Sequence, residues 1–187
     1  MCLQRIAGIS GILAPIVAFV GIVFSILSYP NFSFTGNWLS DLGVGSTYAV
    51  FNSGLILAGI LGFVFCLGFR KTLPPLGKLG SVVLLIGTLA LIGVGLFPES
   101  SGIYHTITSF LFFGCLIVGM GVVGFSLRKE KILGRVLLFL FLIALFGVSL
   151  IHLRATAEIV AGLTFSGLSI FFGVILLRNK GNKNLEN

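Results

Sequence analysis

The sequence predicts an all-α fold: a six-span transmembrane helix bundle with both termini in the cytoplasm. Three observations carry this. Of the 187 residues, 57% are apolar and only 9% are charged, with a mean hydropathy of +1.16. A soluble domain carries about 25% charged residues, and no water-soluble fold can hide so much apolar surface. Apolar runs of about 20 residues, the length that crosses a bilayer, recur six times along the chain. All the basic residues except Arg154 fall on one side of those runs.

The expected spans are 6–28, 48–69, 79–97, 104–127, 132–150 and 155–177, forming one transmembrane domain over 1–177 with a basic cytoplasmic tail at 178–187. The 26 Gly and 19 Phe suit closely packed helices better than a β-barrel, whose strands alternate polar and apolar residues. The first run is longer than the apolar core of a signal peptide and has no A-x-A-like site after it, so it is expected to stay as a span. Only Ile151, His152, Leu153 and Arg154 separate the last two runs. One fused helix there would be twice the length a bilayer needs, so a tight hairpin is predicted.

Orientation follows from the basic residues. Arg5, the group Arg70, Lys71 and Lys78, the group Arg128, Lys129, Lys131 and Arg135, and the group Arg178, Lys180 and Lys183 lie on the same side of the six runs. The positive-inside rule places that side in the cytoplasm of a multi-pass protein of the cell membrane. The net charge of +7 then reflects topology and contact with membrane lipids. No nucleic-acid partner is expected, because no aromatic residues interleave with the basic ones. Three cysteines, none in an external loop, argue against a disulfide framework; Cys66 and Cys115 read as packing residues, with Cys2 or Cys66 open to acylation.

The remaining polar groups gather on the opposite, outer side: Asp41, Glu99 and Glu158, both histidines (His105 and His152), and Arg154. Asn52, His105 and Glu158 stand at the outer ends of spans 2, 4 and 6. Ionisable residues inside a span are costly and usually pair or serve a function. The three are evenly spaced along the chain, which fits three helical hairpins in parallel, each giving one polar group to a shared outer pocket.

The first outer loop carries Asn37-Trp38-Leu39-Ser40-Asp41-Leu42-Gly43. Its Leu-Ser-Asp-Leu-Gly element, followed by Phe51-Asn52 with Gly54 and Gly59, then Phe97-Pro98-Glu99 and His105, resembles the prokaryotic membrane-protein family known as "domain of unknown function 998". The resemblance implies a multi-span integral membrane protein and brings no substrate, cofactor or catalytic residue. A more distant likeness is to the zinc-dependent membrane lipid hydrolases of the ceramidase and adiponectin-receptor group. Those enzymes use Ser, Asp and three His, whereas this chain has two His, which weighs against a zinc site of their kind.

Each candidate has a structural reading beside a functional one. Ser40 and Asp41 can cap a short interfacial helix or line a pocket, and Gly43 and Gly45 suit a turn. Asn52 can hydrogen-bond across helices. His105 reads as an interfacial imidazole or as a ligand or proton-transfer group, and His152 beside Arg154 as a headgroup contact. Arg154 and Glu158, four apart, are expected to pair along one helix face. His105 and His152 are candidate metal ligands, but no local H-E-x-x-H spacing supports zinc. Two outer histidines would serve haem only if they faced each other. Asn31-Phe32-Ser33 matches a glycosylation acceptor.

Three function classes follow. One is a membrane protein whose outer polar pocket, drawn from Asn37, Ser40, Asp41, Asn52, Glu99, His105, His152, Arg154 and Glu158, binds a lipid headgroup or small polar ligand. The second is a membrane-embedded lipid-modifying enzyme, metal-dependent or not, with Asp41, His105 and Glu158 as its acid–base or metal-binding groups. The third is a structural helix bundle. The cofactor, if there is one, is not legible.

Overall fold

Helices form where the apolar runs lie. In the computed structural model, which describes residues 2–129, 133–149, 152 and 154–178, they are α1 (Cys2–Leu27), α2 (Tyr48–Phe69), α3 (Pro75–Leu96), α4 (Ile103–Ser126), α5 (Leu133–Ser149) and α6 (Ala155–Arg178). No strand occurs among the described residues. All except α5 are long and apolar enough to cross a membrane. α5 has 17 described residues, about 25 Å at 1.5 Å per residue. The predicted ends of that span, and the tail beyond 178, lie outside the described residues.

Two boundaries carry information. α3 starts four residues earlier than its apolar run, because Pro74 takes an extended backbone (φ −64°, ψ 166°) and Pro75 occupies the first turn. A missing N–H costs nothing at that position. α5 and α6 are separate helices, and Arg154 just before α6 has φ +45°.

Each helix packs on its neighbours in the chain, and α6 closes the ring against α1. Neighbours run antiparallel: α1 meets α2 at Ala7–Gly68 and at Gly21–Gly54, and α3 meets α4 at Gly80–Val123 and at Gly93–Thr108. Arg70, Lys71, Lys78, Arg128, Lys129, Arg135 and Arg178 therefore share one end, called here the basic end. The loop between α1 and α2, the short 3-10 helix Glu99–Ser101 and Arg154 share the other, the polar end.

Helices in lipid gain no hydrophobic advantage from touching one another, so close approach and internal hydrogen bonds decide their packing. The α1–α6 contact shows both. A Cβ on Gly8 would lie 2.9 Å from the Gly173 carbonyl oxygen, and one on Gly173 would lie 2.8 Å from that of Gly8. One turn along, Pro15 has no N–H to offer the Gly11 carbonyl four residues before it. The Ser169 hydroxyl of α6 donates to that carbonyl instead, at 2.7 Å. The outward faces are apolar and exposed, with Leu27 82%, Phe110 76% and Val20 64% accessible, as expected of surfaces that meet acyl chains.

The buried core has two parts. Phe65, Phe69, Leu84, Leu116, Met120, Leu168 and Phe172 fill the basic half, and fully buried Cys66 is a packing residue there. In the polar half, Ile22, Leu39, Leu42, Phe51, Leu55 and Ala155 form a second cluster.

Candidate functional site

The polar end is built on the loop between α1 and α2. The Asn37 side-chain oxygen accepts the Ser33 N–H at 3.0 Å, and the Ser33 hydroxyl accepts the Gly36 N–H at 3.0 Å. These local bonds make a turn, a role Ser and Asn play well because their side chains compete with the backbone. The chain then forms a 3-10 helix, Leu39–Gly43, whose Leu39 and Leu42 are buried in the top of the bundle. The Asp41 carboxylate accepts the Asn37 amide at 2.7 Å and reaches back to the Trp38 N–H at 3.3 Å. Asp41 thus serves the start of the short helix from its third residue, not from the cap position.

This loop is fastened to the start of α6. The first N–H groups of a helix have no partner within it. Here Ala155 donates to the Asn37 carbonyl at 3.0 Å, and Thr156 donates to the Phe34 carbonyl from its N–H at 3.2 Å and its hydroxyl at 3.1 Å. The Arg154 guanidinium donates to the Gly36 carbonyl. Glu158 Oε2 accepts the Leu39 N–H at 2.6 Å.

The expected Arg154–Glu158 pair is therefore corrected: both side chains bind the loop and neither pairs with the other, while the Glu158 N–H donates to the Arg154 carbonyl at 3.3 Å. The i,i+4 rule applies to residues on one helix, whereas Arg154 stands ahead of α6 in a left-handed conformation. Asn52 is likewise committed to the loop, its amide donating to the Gly43 carbonyl at 2.9 Å. A side chain at Gly43 would strike that amide, with a Cβ 2.7 Å from Asn52 Oδ1.

His105, in the first turn of α4, has Nδ1 2.8 Å from the Phe97 carbonyl and Nε2 3.3 Å from the Ser109 hydroxyl. A carbonyl only accepts, so Nδ1 carries the proton. In the neutral ring, Nε2 is then the acceptor, with Ser109 donating to it. Glu99, in the short helix before α4, adjoins Asp41. Partial desolvation, then hydrogen bonding to Asp41 and its negative charge, raise the Glu99 carboxyl above the usual range, while His105 opposes the shift. Asp41, Glu99 and Glu158 all lie within electrostatic reach of one another. Among the described residues no Lys or Arg forms an ion pair with any of them. His152 is exposed and outside this cluster.

Beneath the cluster lies a cavity of about 110 Å³ in the polar half of the bundle. Leu39 and Ser40 roof it, His105, Ser109 and Glu158 bring polar atoms to its upper part, and the remaining wall is almost wholly apolar. Of the predicted residues, Ser40, His105 and Glu158 line it. Asn37, Asp41 and Glu99 form the polar layer beside them, Asn52 and Arg154 hold the loop, and His152 stands apart. Three contributors escaped the sequence reading: Ser109, the Leu39 N–H, and the phenylalanines of the wall. Ser109 alone had a visible signal, being one helical turn after His105 on the same face.

The arrangement can hold an apolar group below a set of hydrogen-bond acceptors, with an oriented imidazole beside it. Among the described residues no group of three or more His, Cys, Asp or Glu is placed to hold a metal ion. No curated protein and no solved structure matches the chain. The profile of one family, described as "Protein of unknown function (DUF998)", matches residues 12–178, most of the chain. The chain belongs to that family.

Proposed function

We propose that this chain is a six-span protein of the cell membrane, its polar end outward and its basic end cytoplasmic, whose cavity binds a lipid headgroup or a small amphipathic ligand. The observation that carries this is the lining of the cavity: Ser40, His105 and Glu158 bring polar atoms to one side of an otherwise apolar space. Ligand sites share this composition, mostly apolar with a few converging polar groups. The orientation is supported by the gathering of basic side chains at the far end.

Gly162 supplies the test. A Cβ there meets only the Phe19 ring, at 3.7 Å, so a larger side chain can enter the cavity without displacing backbone. Glycine is also a poor helix former, so Gly162→Leu should fold at least as well as the wild type. Native mass spectrometry of protein extracted in mild detergent should show a retained molecule on the wild type and its loss from Gly162→Leu. Equal occupancy, or none in either, would leave the cavity without a ligand. For orientation, Thr35→Cys should react with an impermeant thiol reagent outside intact cells and Lys71→Cys should not; both side chains are exposed.

A second reading, a lipid-modifying enzyme, is favoured by one observation. The Glu99 carboxyl, which adjoins Asp41, lies within electrostatic reach of an imidazole whose Nδ1 is anchored, which suits proton transfer at Nε2. Turnover of labelled phospholipid by the wild type and its loss in His105→Gln would support that reading over simple binding.

A further inference from the structure

We infer that the cavity takes a small organic cation of the ammonium class, its charged nitrogen held among phenylalanine rings beside Glu158. This rests on reading the cavity as a ligand site. Five phenylalanines line it: Phe19, Phe51, Phe112, Phe113 and Phe165. They come from α1, α2, α4 and α6, so rings stand around the space and not along one wall. Phe112 and Phe113 are tilted 55° to each other at a centroid separation of 4.9 Å, offering differently directed faces. Aromatic faces carry negative potential, and ring-lined pockets are a recurrent solution for quaternary ammonium groups.

Charge points the same way. Glu158 lines the cavity with one oxygen committed to Leu39; among the described residues the other has no hydrogen-bond partner, and neither has the Ser40 hydroxyl, which lines the same space. Asp41 and Glu99 add negative potential, and among the described residues His105 is the only basic side chain in the lining. An anionic headgroup would be repelled. A neutral apolar molecule would satisfy the rings and leave the carboxylate unmatched.

Size sets the last limit. A cavity of about 150 Å³ accommodates benzene, a molecule about the size of a trimethylammonium group, and the 110 Å³ found here is of that order. The same chemistry occurs in free organic amines and in the ammonium headgroups of zwitterionic lipids.

The matched probes are choline and its neutral isostere 3,3-dimethyl-1-butanol, measured against the full chain in an uncharged detergent. Radiolabelled choline should bind, and the alcohol should displace it only at about tenfold or higher concentration, the scale of a desolvated cation–ring contact. Glu158→Gln and Phe113→Leu should each weaken choline at least several-fold, and Phe113→Tyr should retain it. Should Glu158→Gln fail to fold, Phe113→Leu and Gly162→Leu carry the same test. If the alcohol competes equally, the cation proposal fails and the binding site stands. If neither probe binds and Gly162→Leu changes nothing in native mass spectra, both fail. Repeating the measurement in phosphatidylglycerol vesicles with and without phosphatidylcholine assigns the source. A fall in choline affinity with phosphatidylcholine identifies the headgroup, and unchanged affinity identifies a free cation.

Discussion

In the basic half of the bundle, Phe69 lies between Phe65 and Phe172 at ring separations of 5.3 and 4.3 Å, with Leu84, Leu116 and Leu168 fully enclosed beside them. In the polar half the same helices leave a cavity among their phenylalanines and close it with a loop held by hydrogen bonds to α6. Contact area and close backbone approach hold the first region together, whereas directed polar contacts hold the second around an unfilled space. The difference teaches that the tightest packing of this chain and its unfilled space lie at opposite ends, so mutations can address them separately. Packing density in lipid-embedded helices has to supply what water supplies elsewhere, and a cavity is tolerated only where the rest of the bundle compensates.

The largest expected effect tests that division directly. Phe65→Ala removes a ring that is 0% exposed and should destabilise the protein by about 3–5 kcal/mol, the range for large-to-small changes in closed cores. Phe113→Ala, beside a space that already exists, should cost about 1 kcal/mol or less. Thermal unfolding in detergent reads both. Equal losses would erase the distinction between the halves.

A smaller effect belongs to the loop. Glu158→Ala strands the Leu39 N–H, which is part-buried and bonded at 2.6 Å, and an unmade bond of this kind costs about 1–3 kcal/mol. Arg154→Ala releases an exposed donor from the Gly36 carbonyl and should cost less, about 1 kcal/mol or below. Hydrogen exchange over residues 33–43 should rise more in the first variant than in the second. The reverse order would mean that the guanidinium, and not the carboxylate, fastens the loop.

These contrasts also show what the sequence could reveal. Helix positions were legible because span length and hydropathy depend on local composition, and the break before Ala155 followed from bilayer thickness. The gathering of Asp41, Glu99, His105 and Glu158 at one end was legible from topology alone. Their partners were not. The bond from Leu39 to Glu158 joins a backbone amide to a carboxylate 119 residues away, and no spacing rule anticipates a backbone donor. The even spacing of Asn52, His105 and Glu158 suggested equivalent roles, yet Asn52 serves the Gly43 carbonyl and does not line the cavity. Pro15 frees the Gly11 carbonyl in the folded chain, and nothing in the sequence marked Ser169 as the hydroxyl that fills it.

The smallest expected effect is a pH dependence at the polar end, carried by Glu99; at the basic end the described residues include no carboxylate. Glu99 is raised above the usual carboxylate range, first by desolvation and then by Asp41. Well below the ordinary glutamate value of about 4.3, Glu99 is protonated in both the folded and the unfolded chain and does not oppose folding. As pH rises, the unfolded chain releases this proton first, while the folded chain keeps it until the raised value is passed. The folded state binds more protons through that interval, so its stability falls with increasing pH and then levels off. Glu99→Gln should remove this component, giving a melting temperature that gains on the wild type as pH rises above the ordinary glutamate value of about 4.3. Asp41→Asn should shrink the same difference by removing the neighbouring charge, although it also disturbs the start of the Leu39–Gly43 helix. If Glu99→Gln instead loses ground to the wild type as pH rises, His105 governs Glu99 more than Asp41 does, and the polar end is held together by charge attraction.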